Sequence, residues 1–332
     1  MATRFDWAVT ALSALFLGGL FLDGWAHTHG RVDESFFTPW HAALYAGYVA
    51  TAALLVGRAA WGIRRGAAWR HAMPAGYGLS LAGVACWIVG GPFDAVWHTV
   101  FGFEADVEAL MSPAHTLLAL GVGLMASGPL RAALRRPRGG WLDELPMVLS
   151  LTFVISIVTF FTQIAHPVSN LFAARGWPPG YEWTALGVIG TVFTSLVLVV
   201  PALFLLKHGR LPAGAITIMV TLNAVAMGFL FDRRPFPGAV VVSFALAAVA
   251  ADFVRGALHA GAVQRGAFRA FAIVFPILLS GSYFVGLGLR TGLTWTPHLW
   301  LGTVVFCGVA CWLVSYLVLP PATLSAPASP DR

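Results

Sequence analysis

Apolar residues dominate this chain in blocks of about twenty, and short polar stretches separate the blocks. Each block is close to the roughly 20 residues an α-helix needs to cross a bilayer. The pattern predicts ten spans, at 7–27, 38–57, 76–100, 110–131, 144–166, 183–206, 212–231, 237–256, 268–289 and 297–319. No stretch shows the short alternation of a half-buried strand. The predicted fold class is therefore all-α, a polytopic transmembrane helix bundle of about ten spans.

The polar connectors alternate in character. Arg4 precedes the first span; Arg58, Arg64, Arg65 and Arg70 follow the second; Arg131, Arg135, Arg136 and Arg138 follow the fourth. Lys207 and Arg210 follow the sixth, and Arg255, Arg265 and Arg269 the eighth. The intervening connectors carry Asp33, Glu34, Glu104, Asp106, Glu108 and Glu182, with Arg233 and Arg234 as the exception. Basic loops stay on the cytoplasmic side. The expectation is a multi-pass protein of the bacterial cytoplasmic (inner) membrane with both termini cytoplasmic. Pro320 to Arg332, rich in Pro, Ala and Ser, reads as a disordered tail.

Composition agrees: of 332 residues 58% are hydrophobic and only 10% charged, whereas soluble domains carry about a quarter charged residues. The net charge of +6 arises mostly from the arginines between spans, so topology explains it and no nucleic-acid partner is implied. Cys86, Cys307 and Cys311 all lie in apolar segments and form neither a disulfide framework nor a zinc-ribbon pattern. Arg4 and the first apolar run have the look of a signal peptide, but that segment carries part of the motif described next and is read as a span.

Candidate chemistry concentrates in one duplicated pattern. Residues 22–47 read LDGWAHTHGRVDESFFTPWHAALYAG, and residues 93–121 read FDAVWHTVFGFEADVEALMSPAHTLLALG. Each has Asp-x-x-x-His (Asp23/His27; Asp94/His98), an acidic connector, then (Ser/Thr)-Pro-x-His (Thr38 to His41; Ser112 to His115). This makes spans 1–2 and 3–4 a tandem two-helix repeat. The Asp and His, four apart, share a helix face. Thr38 and Ser112 are N-caps with proline at the first helical position, so His41 and His115 fall in first turns, where the helix end favours the neutral imidazole a metal requires. Carboxylates at membrane depth face a protein interior with a partner. Each copy thus offers one Asp and two His, an N/O set suited to copper, with zinc or iron as alternatives. Haem held by two histidines is a third option. The plainer alternative is an Asp–His hydrogen bond that ties helix ends together.

The histidines also segregate: His27, His29, His41, His98, His115, His166 and His298 fall at or near the outer ends of spans, and His71, His208 and His259 on the other side. His166, with Gln163 and Asn170, and His298, after Pro297, are weaker candidates for the same outer site. Asn223 reads as a helix–helix hydrogen bond, Asp252 as a partner of Arg255, and Cys307 and Cys311 as small packing residues on one face.

The wording from His27 to Tyr45, HTHGRVDESFFTPWHAALY, resembles the C subunit of the copper membrane monooxygenases, the particulate methane and ammonia monooxygenases. That family carries Asp-x-x-x-His, an acidic connector and Phe-Thr-Pro-Ser-His opening a helix, and its Asp and two His bind a metal, generally copper. The resemblance implies the same role for Asp23, His27 and His41, and in the second copy for Asp94, His98 and His115. His29, twelve residues before His41, is closer to the family's spacing than His27. The family has one motif where this chain has two, fewer spans, and different connector lengths; no cupredoxin-like domain is present here.

The expectation is a duplicated Asp/His unit at 1–131, six further helices at 132–319 and a tail at 320–332. The leading function is a copper-dependent membrane oxidoreductase with monooxygenase-like chemistry, served by a membrane or periplasmic electron donor, with oligomers allowed. The alternatives are a metal-binding or transport protein and an accessory subunit with structural Asp–His pairs. Polar groups thin out below the outer third of the spans, which speaks against transport.

Overall fold

A computed structural model of the chain describes residues 3–31, 38–102, 106–231, 237–261 and 263–321. Asp33, Glu34, Glu104, Arg233, Arg234 and residues 322–332 of the tail lie outside the described residues, as does the side chain of Asp106.

The described residues form twelve α-helices and two short 3-10 turns. Eight helices are long and apolar enough to cross a membrane: α1 (Arg4–Thr28), α2 (Pro39–Arg64), α3 (Gly78–Phe101), α7 (Trp141–Phe161), α8 (Tyr181–Lys207), α10 (Gly238–Ala257), α11 (Arg265–Thr291) and α12 (Pro297–Val318). Two shorter apolar helices are α5 (Pro113–Ala126) and α9 (Ala215–Phe229). The short α4 (Asp106–Met111) precedes α5, and α6 (Gly128–Ala133) follows it. Among the described residues the only strand-type pairing is one isolated bridge, Ala174 to Leu293.

The span expected at 110–131 is broken. Ser127 ends α5, its hydroxyl donating to the Gly123 carbonyl (2.6 Å), and Pro129 lies in the first turn of α6. The boundary placed after residue 131 falls inside α6, and α7 packs against α1, α5 and α6. The span drawn to 166 ends at Phe161, where a 3-10 turn begins the approach to α8.

Two antiparallel hairpins, α1/α2 and α3/α5, form the N-terminal part. Small residues let their backbones approach closely, which in lipid replaces the hydrophobic drive. A β-carbon on Gly19 would lie 2.7 Å from Leu44 Cα, and one on Gly47 would lie 2.5 Å from Phe16 Cα. In α3/α5, Gly90 faces Leu118, and Gly121 faces Trp87. Counted from the motif, these are the same positions: four before the Asp against three after the second His, and six after that His against seven before the Asp. Phe16 and Trp87 then meet each other edge to face, with ring centroids 4.8 Å apart.

The arginines read only as topology markers do more than that. At the end of the bundle opposite the motifs, Arg136 Nη1 lies 2.6 Å from Asp6 Oδ2, and Tyr77 Oη donates to Asp6 Oδ1 at 2.6 Å. Arg131 donates to Gly76 O and Ser80 Oγ, and Arg210 to Ala133 O, with its Nε 3.2 Å from Glu144. Asp252 makes its expected pair with Arg255 and a further contact. Its Oδ2 accepts from the backbone N–H and hydroxyl of Thr217 (2.9 and 2.8 Å), capping the start of α9, while Arg255 stands 3.9 Å away. Asn223 ties α9 to α7, donating to Thr159 Oγ1 at 2.7 Å. Cys307 and Cys311 are buried free thiols.

Candidate metal centre

The last turns of α1 and α3 present Asp23/His27 and Asp94/His98 on single faces, as the i, i+4 spacing requires. The next helices start as the sequence predicts. Thr38 Oγ accepts the His41 N–H at 3.1 Å and Ser112 Oγ the His115 N–H at 3.2 Å, with Pro39 and Pro113 at the first helical position. Because each hairpin is antiparallel and tightly packed, the second histidine swings over the first helix's Asp–His pair.

Two triads result, in each of which one ligand atom per residue lies within 4.8 Å of the others. In the first, Asp23 Oδ2 is 3.8 Å from His27 Nε2 and 3.5 Å from His41 Nε2. In the second, Asp94 Oδ1 is 3.5 Å from His98 Nε2 and 3.2 Å from His115 Nε2. The imidazole centroids are 6.0 Å apart in the first triad and 5.7 Å in the second. The triads are neighbours: the charges of His115 and Asp94 act on Asp23, and those of His115 and His98 on His27.

The polar groups fit a cation between them. His98 Nδ1 faces Gly102 O at 3.3 Å, and His115 Nδ1 makes a short contact with Ala109 O. A carbonyl only accepts, so each neutral ring carries its proton on Nδ1 and points the Nε2 lone pair inward. Two lone pairs and a carboxylate then converge. Asp94 Oδ1, which the two Nε2 atoms approach to 3.5 and 3.2 Å, and Asp23 Oδ1 in the other triad are buried without a hydrogen bond among the described residues, and an ion or proton would satisfy them.

The remaining candidates stand elsewhere. His29 caps the C-terminal end of α1; its Nδ1 is 2.9 Å from Trp25 O and its ring stacks on Trp25, outside the triad. His166 is buried in the connection after α7. Its Nδ1 accepts the Val168 N–H at 3.2 Å, and its other nitrogen faces Asn223. Burial pushes this imidazole down to about 3; with Nδ1 accepting, the proton sits on Nε2, which makes no hydrogen bond among the described residues. Asn170 donates to Gln163 O, closing the same connection on itself. His298 is exposed in the first turn of α12, and neither His166 nor His298 joins a triad.

One residue of the site was missed in the sequence. Tyr45, one turn after His41, is near both carboxylates, and the charges of Asp94 and Asp23 act on it. Gly91 leaves room for it, since a β-carbon there would be 3.5 Å from Tyr45 Oη. The signal was present as the i, i+4 spacing from His41, and the second copy has Ala119 at that place.

No protein-family model matches this chain, and neither the curated proteins nor the solved structures contain a match to it.

Proposed function

We propose that this chain is a membrane metalloprotein that holds copper at two neighbouring Asp/His sites, built by a tandem repeat of spans 1–2 and 3–4. The observation that carries the reading is the convergence, in each hairpin, of two imidazole nitrogens and one carboxylate within 4.8 Å. In the second hairpin, backbone carbonyls lie at the Nδ1 atoms of both imidazoles, and the two Nε2 atoms converge on the buried carboxylate oxygen at 3.5 and 3.2 Å.

The donor set suits copper, and zinc or iron would also be accommodated. Copper held this way supplies redox and dioxygen chemistry when bound. We therefore place the chain among membrane oxidoreductases with monooxygenase-like activity, in keeping with the local resemblance of residues 27–45 to the C subunit of the copper membrane monooxygenases. The residues' own tasks are clear. His27, His41, His98 and His115 present neutral nitrogens, Asp23 and Asp94 offset the cation's charge, and the antiparallel hairpins hold the two sets together. We take the eight long helices and the two shorter ones, α5 extended by α6 and α9, as ten spans with both termini cytoplasmic, which puts the triads at the outer surface.

Elemental analysis of the detergent-purified full chain tests the proposal. Two equivalents of copper per chain are expected. Replacing His41 or His115 by alanine should each remove about one. A wild-type protein that takes up neither copper, zinc nor iron would leave only structural Asp–His pairs.

A further inference from the structure

We propose that Tyr45, Trp87 and Tyr48 form an electron relay: when the reduced copper sites meet hydrogen peroxide, Tyr45 gives them an electron, and Trp87, stacked on Tyr48, refills Tyr45. This rests on the reading that the triads bind copper, and it assigns a task to three aromatic residues that lie outside the triads.

Tyr45 heads the chain. The charges of Asp23 and Asp94 both act on it, and its Oη would lie 3.5 Å from a β-carbon on Gly91, one turn before Asp94. Its ring meets that of Trp87 edge to face, with centroids 5.8 Å apart. Trp87 in turn stacks on Tyr48, with centroids 5.0 Å apart and ring planes at 24°. Aromatic rings in contact have centroids about 4.5–7 Å apart, so no gap interrupts the three. Trp87 is buried, and its indole N–H donates to Leu118 O at 2.8 Å. Tyr48 is half-buried, and its hydroxyl donates to Val84 O at 3.3 Å. The repeat shows that packing alone does not demand these residues. Counted from the motif, the other copy has Ala119, Val122 and Phe16 in place of Tyr45, Tyr48 and Trp87. Phenol and indole rings lose an electron far more readily than those three side chains do. The tyrosines come from the first copy and the tryptophan from the second, so the oxidisable members of both meet in a single chain.

The step balances with peroxide as the oxidant. Breaking its O–O bond takes two electrons, one from copper(I) and one from Tyr45. The phenolic proton of Tyr45 goes to one of the two hydroxides formed. The products are copper(II), one hydroxide, one water and a phenoxyl radical on Tyr45. Trp87 then gives an electron to that radical, and the phenol takes its proton back from the water, which leaves a second hydroxide. The Leu118 carbonyl accepts a hydrogen bond but is not a base, so the indole proton stays on Nε1 and Trp87 is left as a radical cation. Tyr48 lies face to face with it and shares the missing electron. The oxidising equivalent thus leaves the neighbourhood of the triad histidines.

The test loads the purified full chain with copper(I) in the absence of air and adds one equivalent of hydrogen peroxide. Samples frozen at once are read by paramagnetic resonance, and the oxidised side chains are located by peptide mass spectrometry. An aromatic radical and oxidation of Trp87 are expected in the wild type. Tyr45→Phe, loaded with the same amount of copper, should lower the oxidation of Trp87 several-fold. Trp87→Phe should leave a longer-lived radical on Tyr45. Zinc has no redox chemistry, so the zinc-loaded chain should show neither radical nor oxidised Trp87. Equal oxidation of Trp87 with zinc, or in Tyr45→Phe, would overturn the relay. So would oxidation confined to Trp40 and Trp97, which adjoin triad histidines in the chain, or to the histidines themselves. A chain that binds copper and leaves Trp87 unmarked ends the relay alone; a chain that binds no copper ends the proposed function as well. Should Trp87→Phe fail to fold, as judged by size exclusion, the wild type and Tyr45→Phe still decide.

Discussion

Gly19 is where packing and metal binding can be separated. A β-carbon there would stand 2.7 Å from Leu44 Cα and 2.9 Å from Ala43 O and Leu44 N. Carbon atoms rest at about 3.5–4.0 Å, and a backbone cannot rotate aside, so Gly19→Ala should part α1 from α2 by about 1 Å. Asp23 lies one turn along from Gly19, and His41 one turn from Leu44, so the movement is delivered to the 3.5 Å gap between Asp23 and His41. Metal sites tolerate roughly 0.2 Å in ligand distances. We expect the first triad's copper affinity to fall at least about 10-fold, alongside an overpacking cost of about 1–3 kcal/mol. Gly90→Ala is the matched control: its β-carbon meets Leu118 Cδ2 at 2.7 Å, the end of a side chain that can change rotamer. It should cost less than about 1 kcal/mol and leave the second triad loaded. Gly18→Ala meets nothing within 4 Å and should be neutral or slightly stabilising. Thermal unfolding in detergent and copper per chain report the two effects. If Gly19→Ala matches Gly18→Ala in both measurements, the close α1/α2 contact does not set the site's geometry and the reasoning fails.

Other predictions concern the rest of the bundle. Arg136→Met strands the buried Asp6 carboxylate, whose other oxygen Tyr77 holds, and should cost about 3 kcal/mol, read as a lowered melting temperature. Asp252→Ala removes the acceptor for the Thr217 N–H at the start of α9 and should cost about 1 kcal/mol, more than Arg255→Ala, because Arg255 is only a distant partner at 3.9 Å. For topology, Glu182→Cys should react with an impermeant thiol reagent on intact cells and Ala68→Cys should not; the reverse result would put the triads on the cytoplasmic side.

What the sequence made legible was local. The i, i+4 Asp–His pairs and the Thr-Pro and Ser-Pro helix starts are decided within a few residues, and the hydrogen bonds of Thr38 and Ser112 have the expected form. The helix positions were legible too, because a twenty-residue apolar block has few alternatives. Properties set by register between helices were not. Whether His27 or His29 joins Asp23 depends on where α1 stops relative to α2, and Trp25 takes His29 away by stacking. Arg136 reads as a loop charge until Asp6, far away in the chain, is brought to it. Hydropathy averaging hides the break at Ser127, since a serine that bonds back to Gly123 O costs little hydrophobicity. The place of Tyr45 needs both hairpins at once, because its surroundings come from α3 as much as from its own helix.

The two hairpins keep the same glycine and aromatic positions, so where they differ says more than where they agree. Gly19 meets backbone and Gly90 a leucine side chain; Tyr45 stands where the second copy has Ala119. The backbone contact makes the first hairpin's spacing rigid at Gly19, yet its metal-binding end stays open through the exposed His27. The second hairpin makes its backbone contact at another level, where a β-carbon on Gly83 would lie 2.6 Å from Gly121 O, and both of its imidazoles are backed by carbonyls. Tyr45 comes from the first hairpin, and its single phenol lies in the field of both carboxylates. A purely structural pair of helix ties would gain nothing from that asymmetry. If both triads hold copper, a phenol in the field of both carboxylates should influence both. Tyr45→Phe should then leave the copper count at two and change the copper affinity measured by chelator competition. Unchanged affinity in Tyr45→Phe would leave the phenol no part in holding the metal.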